Sequence, residues 1–173
     1  MNDTTTGREH AAPTQTGIAG LDHILRGGFP AYRLYLVEGT PGTGKTTLAL
    51  NFLLEGRKRG ETGLYITLSE TADELHSVAL SHGWSLDEID LFELVAENEF
   101  SIENEQSLLH PSEVELGETV AGIIEQVEKT NPTRVVLDSL SELRLLSQSA
   151  LRYRRQILAL KHFFAKRDCT VLM

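Results

Sequence analysis

At 173 residues the chain has the size at which one domain buries enough apolar surface to fold without disulfides or metals. Its 40% hydrophobic and 24% charged residues are those of a folded globular protein, and a single cysteine, Cys169, excludes an internal disulfide and points to a reducing, cytoplasmic setting. A formal net charge of −9 argues against broad attachment to DNA or anionic membrane, and no apolar run reaches the roughly 20 residues that span a bilayer.

Residues 1–13 are polar and lack the basic-then-apolar layout of a secretory signal, so they read as a flexible leader to one domain over 14–173. Ile18, Leu21, Ile24 and Leu25 mark a short helix-like turn that the pair Gly27-Gly28 stops. After Pro30, the β-rich run Arg33-Leu34-Tyr35-Leu36-Val37-Glu38 predicts a buried strand. It leads straight into Gly39-Thr40-Pro41-Gly42-Thr43-Gly44-Lys45-Thr46. From Thr46 to Arg59, Leu48, Leu50, Phe52, Leu53 and Leu54 recur at helical spacing, and Gly60 follows as a stop.

The alternation then repeats. Leu64–Leu68 predicts a strand, Ala72–His82 an amphipathic helix ending at Gly83, and Leu91–Val95 a third strand. Glu97–Ser112 is polar and unpatterned, which fits a functional, locally disordered or partner-contacting stretch. Val114–Lys129 is a helix with Val120, Ile123, Ile124 and Val127 on one face. Arg134–Ser139 is a buried strand ending in an acid, Ala150–Lys166 is a long helix, and Cys169–Met173 begins another strand. The basic residues Arg152, Arg154, Arg155, Lys161, Lys166 and Arg167 form either a solvated face or part of an interface. Strands alternating with helices imply a mostly parallel sheet with helices on both faces, and ligands of such sheets bind at the carboxyl ends of the strands. The glycine loop, Glu70 and Asp138 all fall on that rim.

Phosphate oxygens need many donors and little steric obstruction. Glycines at 39, 42 and 44 let backbone N–H groups curl around an anion, and the helix that follows adds its positive end. The expected cofactor-binding set is Thr40, Pro41, Gly42, Thr43, Gly44, Lys45, Thr46 and Thr47. Lys45 reaches the β- and γ-phosphates of ATP, while the Thr46 hydroxyl is placed to hold Mg²⁺. Asp138 is the second Mg²⁺ candidate, acting through a water, with a helix cap or turn residue as the alternative. Ser139 beside it is a hydrogen-bonding partner or an ordinary turn serine. Lys45 and Glu70 are the catalytic candidates; Glu70 is the carboxylate best placed to orient or deprotonate an attacking water, or else an acid that stabilises the start of the next helix.

The run Thr16-Gly17-Ile18 through Gly20-Leu21-Asp22, then Gly27-Gly28-Phe29-Pro30 and the loop Gly39–Thr47, resembles the KaiC branch of the RecA-like P-loop ATPases. Ile66-Thr67-Leu68-Ser69-Glu70, Gly83-Trp84 and Val136-Leu137-Asp138-Ser139 carry the resemblance over most of the chain. It implies a RecA-like core, ATP bound between the subunits of a homo-oligomeric ring, possible as a hexamer, a regulatory protein partner, and in some members phosphorylation of their own Ser/Thr residues. Two departures stand out. Ser69-Glu70 replaces a pair of glutamates, which puts efficient hydrolysis in question, and Ala31-Tyr32-Arg33 lacks the usual central glycine. Such a core normally continues beyond the strand at Cys169–Met173, so the resemblance implies an incomplete domain. The leading functional expectation is a MgATP-hydrolysing domain. The alternatives are a nucleotide-dependent switch with little hydrolysis, a RecA-like recombination or repair ATPase, and a Ser/Thr autokinase.

Overall fold

A computed structural model describes residues 11–94, 111–147 and 149–173. Its elements are α1 (Ala19–Ile24), β1 (Leu34–Tyr35), α2 (Lys45–Lys58), β2 (Gly63–Thr67), α3 (Ala72–Ser81), β3 (Asp90–Glu93), α4 (Pro111–Thr130), β4 (Arg134–Asp138), α5 (Leu140–Leu146), α6 (Ala150–Phe164) and β5 (Thr170–Leu172). The five strands form one sheet in the order β1-β5-β4-β2-β3, and every pair is parallel. This is the α/β architecture expected of a RecA-like core.

The strands alternate their side chains between two apolar layers. Leu64 and Ile66, Val135 and Leu137, and Val171 pack with α4, α5 and α6. Tyr65, Val136 and Leu172 point the other way, into Leu50, Phe52 and Leu53 of α2 and Leu75 and Ala79 of α3. A sheet covered on both faces leaves no polar side on its central strands, and all five residues of β2 are buried.

The main element boundaries agree with the sequence, with three differences. The pairing of β1 is shorter than the run 33–38, although Met173 N–H donates to Tyr35 O and Val37 N–H donates to Met173 O, both extending the contact with β5. Helix α4 starts at Pro111, where a proline is tolerated because a first-turn N–H has no intrahelical acceptor. Helix α5 is an additional element: seven residues after Asp138 are too few for a helical period to stand out. Most of the polar stretch 97–112, and residues 1–10 of the expected leader, lie outside the described residues.

The segment before β1 is tied down by threonines. Thr14 pairs antiparallel with Phe29, and its buried hydroxyl lies 3.0 Å from that of Thr170 on β5. Thr16 N–H and Oγ1 both donate to Asp22 Oδ1 at 2.8 Å, which fixes the start of α1. Gly28, at φ +127°, sits against the Thr14 carbonyl where a Cβ would collide. The turn lacking a central glycine is nevertheless made. Tyr32 takes φ +59°, and its N–H donates to Thr170 Oγ1 at 3.0 Å. That backbone hydrogen bond holds a side-chain-bearing residue in a region glycine enters freely.

Candidate functional site: a phosphate-binding loop at the carboxyl rim of the sheet

All five strands point the same way, so the loop after β1, the turn after β2 and the end of β4 meet at one edge. Gly42 and Gly44 have φ of +82° and +86°, values a side chain disfavours, and among the described residues beyond their chain neighbours neither has a heavy atom within 4 Å of where a Cβ would stand. Gly39 is needed for a different reason. A Cβ there would lie 2.6 Å from Thr43 Oγ1, the hydroxyl that closes the loop by donating to Thr40 O at 2.8 Å. Pro41 occupies the turn between these residues. Gly44 is the N-cap of α2 and no side chain among the described residues caps it, so the first-turn N–H groups remain available to an anion.

The Lys45 ammonium folds over the loop, donating to Gly39 O at 2.9 Å and Thr40 O at 3.1 Å. Thr46 and Thr47 follow in the first turn of α2, with Thr47 O accepting from Asn51 Nδ2 at 3.2 Å. A cavity of about 350 Å³ opens beside the loop and brings Gly39 and Lys45 together with Asp138 and Ser139. Leu140, Ser141 and Arg144 of α5 add a wall that the sequence reading missed.

Asp138 is partnered from below the rim: the buried Tyr65 hydroxyl donates to its Oδ2 at 2.7 Å. Ser139 is the N-cap of α5 by position only, making no side-chain cap, and its hydroxyl pairs with Ser141 Oγ at 2.5 Å. Neither residue therefore serves as a side-chain cap. Burial pushes the Tyr65 phenol far above its ordinary range, with the Asp138 charge and hydrogen bond next and Glu70 adding to them; the Thr46 hydroxyl acts in the opposite direction. Of the two candidate metal residues, Asp138 is the one that this phenol hydrogen-bonds.

Glu70 lies one residue before the cap of α3. Thr67 Oγ1 at the end of β2 accepts from Glu70 N–H at 2.9 Å and donates to Glu70 O at 2.7 Å, which fixes the backbone of the turn. Glu74 N–H donates to Thr71 Oγ1 at 3.2 Å and Thr71 N–H to Glu74 Oε2 at 2.8 Å, a complete capping box. The start of α3 is satisfied without Glu70. Among the described residues its buried Oε2 has no hydrogen-bond partner, and burial, then the charges of Asp138 and Glu74, raise its pKa. Ser69, in the place of the other glutamate, is exposed at the bend.

An unencumbered, glycine-lined loop opening a helix, with a lysine over it and an acid at the end of a neighbouring strand, defines a P-loop nucleotide-binding fold. A family model described as "ATPase: KaiC" matches residues 14–173, and the chain belongs to this family of KaiC-type ATPases. A UPF0273 protein of Pyrococcus horikoshii is 33% identical over 163 residues, covering 90% of this chain and 65% of its own length. A circadian clock oscillator protein KaiC of Prochlorococcus marinus is 33% identical over 150 residues, 84% of this chain but 28% of that protein. The crystal structure of a KaiC-like protein from Pyrococcus horikoshii superposes with a TM-score of 0.73 at 27% identity, covering 92% of this chain and 70% of that one. The chain therefore spans just under two thirds of the first of these relatives and less than a third of the clock protein.

Proposed function

We propose that this chain binds MgATP on the Gly39–Thr47 loop and hydrolyses it. One observation carries the reading: Gly39 of the loop, Lys45 at the start of α2 and Asp138 at the end of β4 line a common cavity. On binding, Lys45 exchanges its two loop carbonyls for β- and γ-phosphate oxygens, and the loop N–H groups take the remaining ones. Gly39, Gly42 and Gly44 keep the cradle open where a Cβ would fill or strain it, and Thr46 and Asp138 are the residues that hold Mg²⁺. Among the described residues no three His, Cys, Asp or Glu side chains converge on a metal, which fits an ion held jointly with phosphates. The ion, when bound, neutralises charge on the phosphates.

Glu70 positions the attacking water and accepts its proton. A raised pKa makes it a stronger base, and its buried Oε2 has no hydrogen-bond partner among the described residues. Hydrolysis then alters contacts with neighbouring subunits of a homo-oligomer or with a regulatory partner. A second reading, a nucleotide-dependent switch with little turnover, is favoured by Ser69, which cannot act as a base. The two separate by phosphate release from ATP measured for the protein beside Lys45→Ala and Glu70→Gln. Tight binding without turnover in the unmodified protein sinks hydrolysis and leaves the switch; unchanged ATP affinity in Lys45→Ala sinks the loop assignment itself.

A further inference from the structure

We propose that Tyr65 is a positioning residue for the metal-binding acid, its hydroxyl holding Asp138 Oδ2 so that the other carboxylate oxygen is presented to the cation. The inference rests on the MgATP reading of the site and extends it to a residue that touches neither nucleotide nor metal.

Tyr65 is the central residue of β2, paired with Val136 on β4 and Leu91 on β3, and it has no solvent exposure. Its ring is packed in the layer beneath α2 and α3, and because Tyr65 pairs with Val136, Asp138 two residues further along β4 projects from the same face of the sheet. There it meets Asp138 at 2.7 Å, a length within the range of charge-assisted O–H to carboxylate bonds. Among the described residues no other side chain hydrogen-bonds the Asp138 carboxylate.

A buried phenol is suited to this task. It is a neutral donor at any physiological pH, and it orients the carboxylate without cancelling the charge the cation needs. An arginine or lysine in its place would compete with Mg²⁺ for the same anion. A phenylalanine would keep the packing and leave the carboxylate free to rotate.

The test is Tyr65→Phe in the whole chain, read by binding of the non-hydrolysable analogue AMP-PNP in EDTA and then across a Mg²⁺ titration. The expected result is unchanged affinity in EDTA with the half-saturating Mg²⁺ concentration raised about tenfold or more, the size of effect common for groups that orient metal ligands. In an Asp138→Asn background the same change should have no further effect on the Mg²⁺ midpoint. An unmoved midpoint in the single variant overturns the proposal, as does an equal loss with and without Mg²⁺, which marks a purely structural role. Loss of cooperative folding in Tyr65→Phe overturns it too, because the hydroxyl would then be holding the fold. If the unmodified protein gains no affinity from Mg²⁺, the reading of the site fails first and Tyr65 with it.

Discussion

The guanidinium of Arg134 lies where a side chain on Gly56 would have to go. A Cβ on Gly56 would stand 2.5 Å from both Cδ and Nε of Arg134. Arg134, at the start of β4, is 1% exposed; it pairs with Glu61 and donates to the carbonyls of Gln15 and Phe52 at 2.6 Å, with its charge 4.8 Å above the Phe52 ring. One cation thus joins the entry segment, α2 and the central strand on the side of the sheet away from the loop.

Gly56→Ala is expected to destabilise the protein. In an open helix that change gains about 1 kcal/mol, but crowding a packed site costs about 1–3 kcal/mol, and here the obstacle is pinned by three elements. Arg134→Met should cost about 3–5 kcal/mol by leaving buried acceptors unpaired. In that background the alanine at 56 should turn neutral or stabilising. Denaturant unfolding of the two single variants and the double variant checks the sign of the coupling.

Glu70→Gln should raise the stability of the nucleotide-free protein at neutral pH. The folded state holds the Glu70 proton more tightly than the unfolded chain, whose carboxyl titrates near 4.5. The stability linked to that proton is full below the unfolded value and is lost as pH rises through the higher folded one. Glutamine carries no such dependence. Melting curves at neutral pH and at about pH 4 should show an advantage for the variant that vanishes in acid; equal melting at both would mean that Glu70 is not buried as described.

Lys45→Ala should weaken ATP binding at least tenfold, since a hydrogen bond to a charged group contributes about 1.5–3 kcal/mol. The melting temperature of the empty protein should barely move, because the ammonium there binds only exposed loop carbonyls. Calorimetric titration and thermal unfolding of the same preparation separate the two effects.

Tyr32→Gly bears on the unusual turn. Relief of the left-handed conformation is worth about 1–2 kcal/mol, against about 0.5–1 kcal/mol of extra chain entropy, so the variant should match or slightly exceed the parent in stability. A clear loss would show that the Tyr32 side chain contributes packing beyond the turn.

The loop from Gly39 to Thr46, the alternation of strands and helices and the apolar strand leading to Asp138 were legible in the sequence, because each depends on local rules: glycine where the backbone turns left-handed or a Cβ would collide, and runs of residues buried on both faces. The short helix α5 was not legible. Neither were the partners of individual side chains. Only the folded chain decides that Tyr65 reaches Asp138 from 73 positions away and that Arg134 forbids a side chain at Gly56. Those relations arise where elements distant in sequence are packed together, and no local periodicity encodes which residues then face each other.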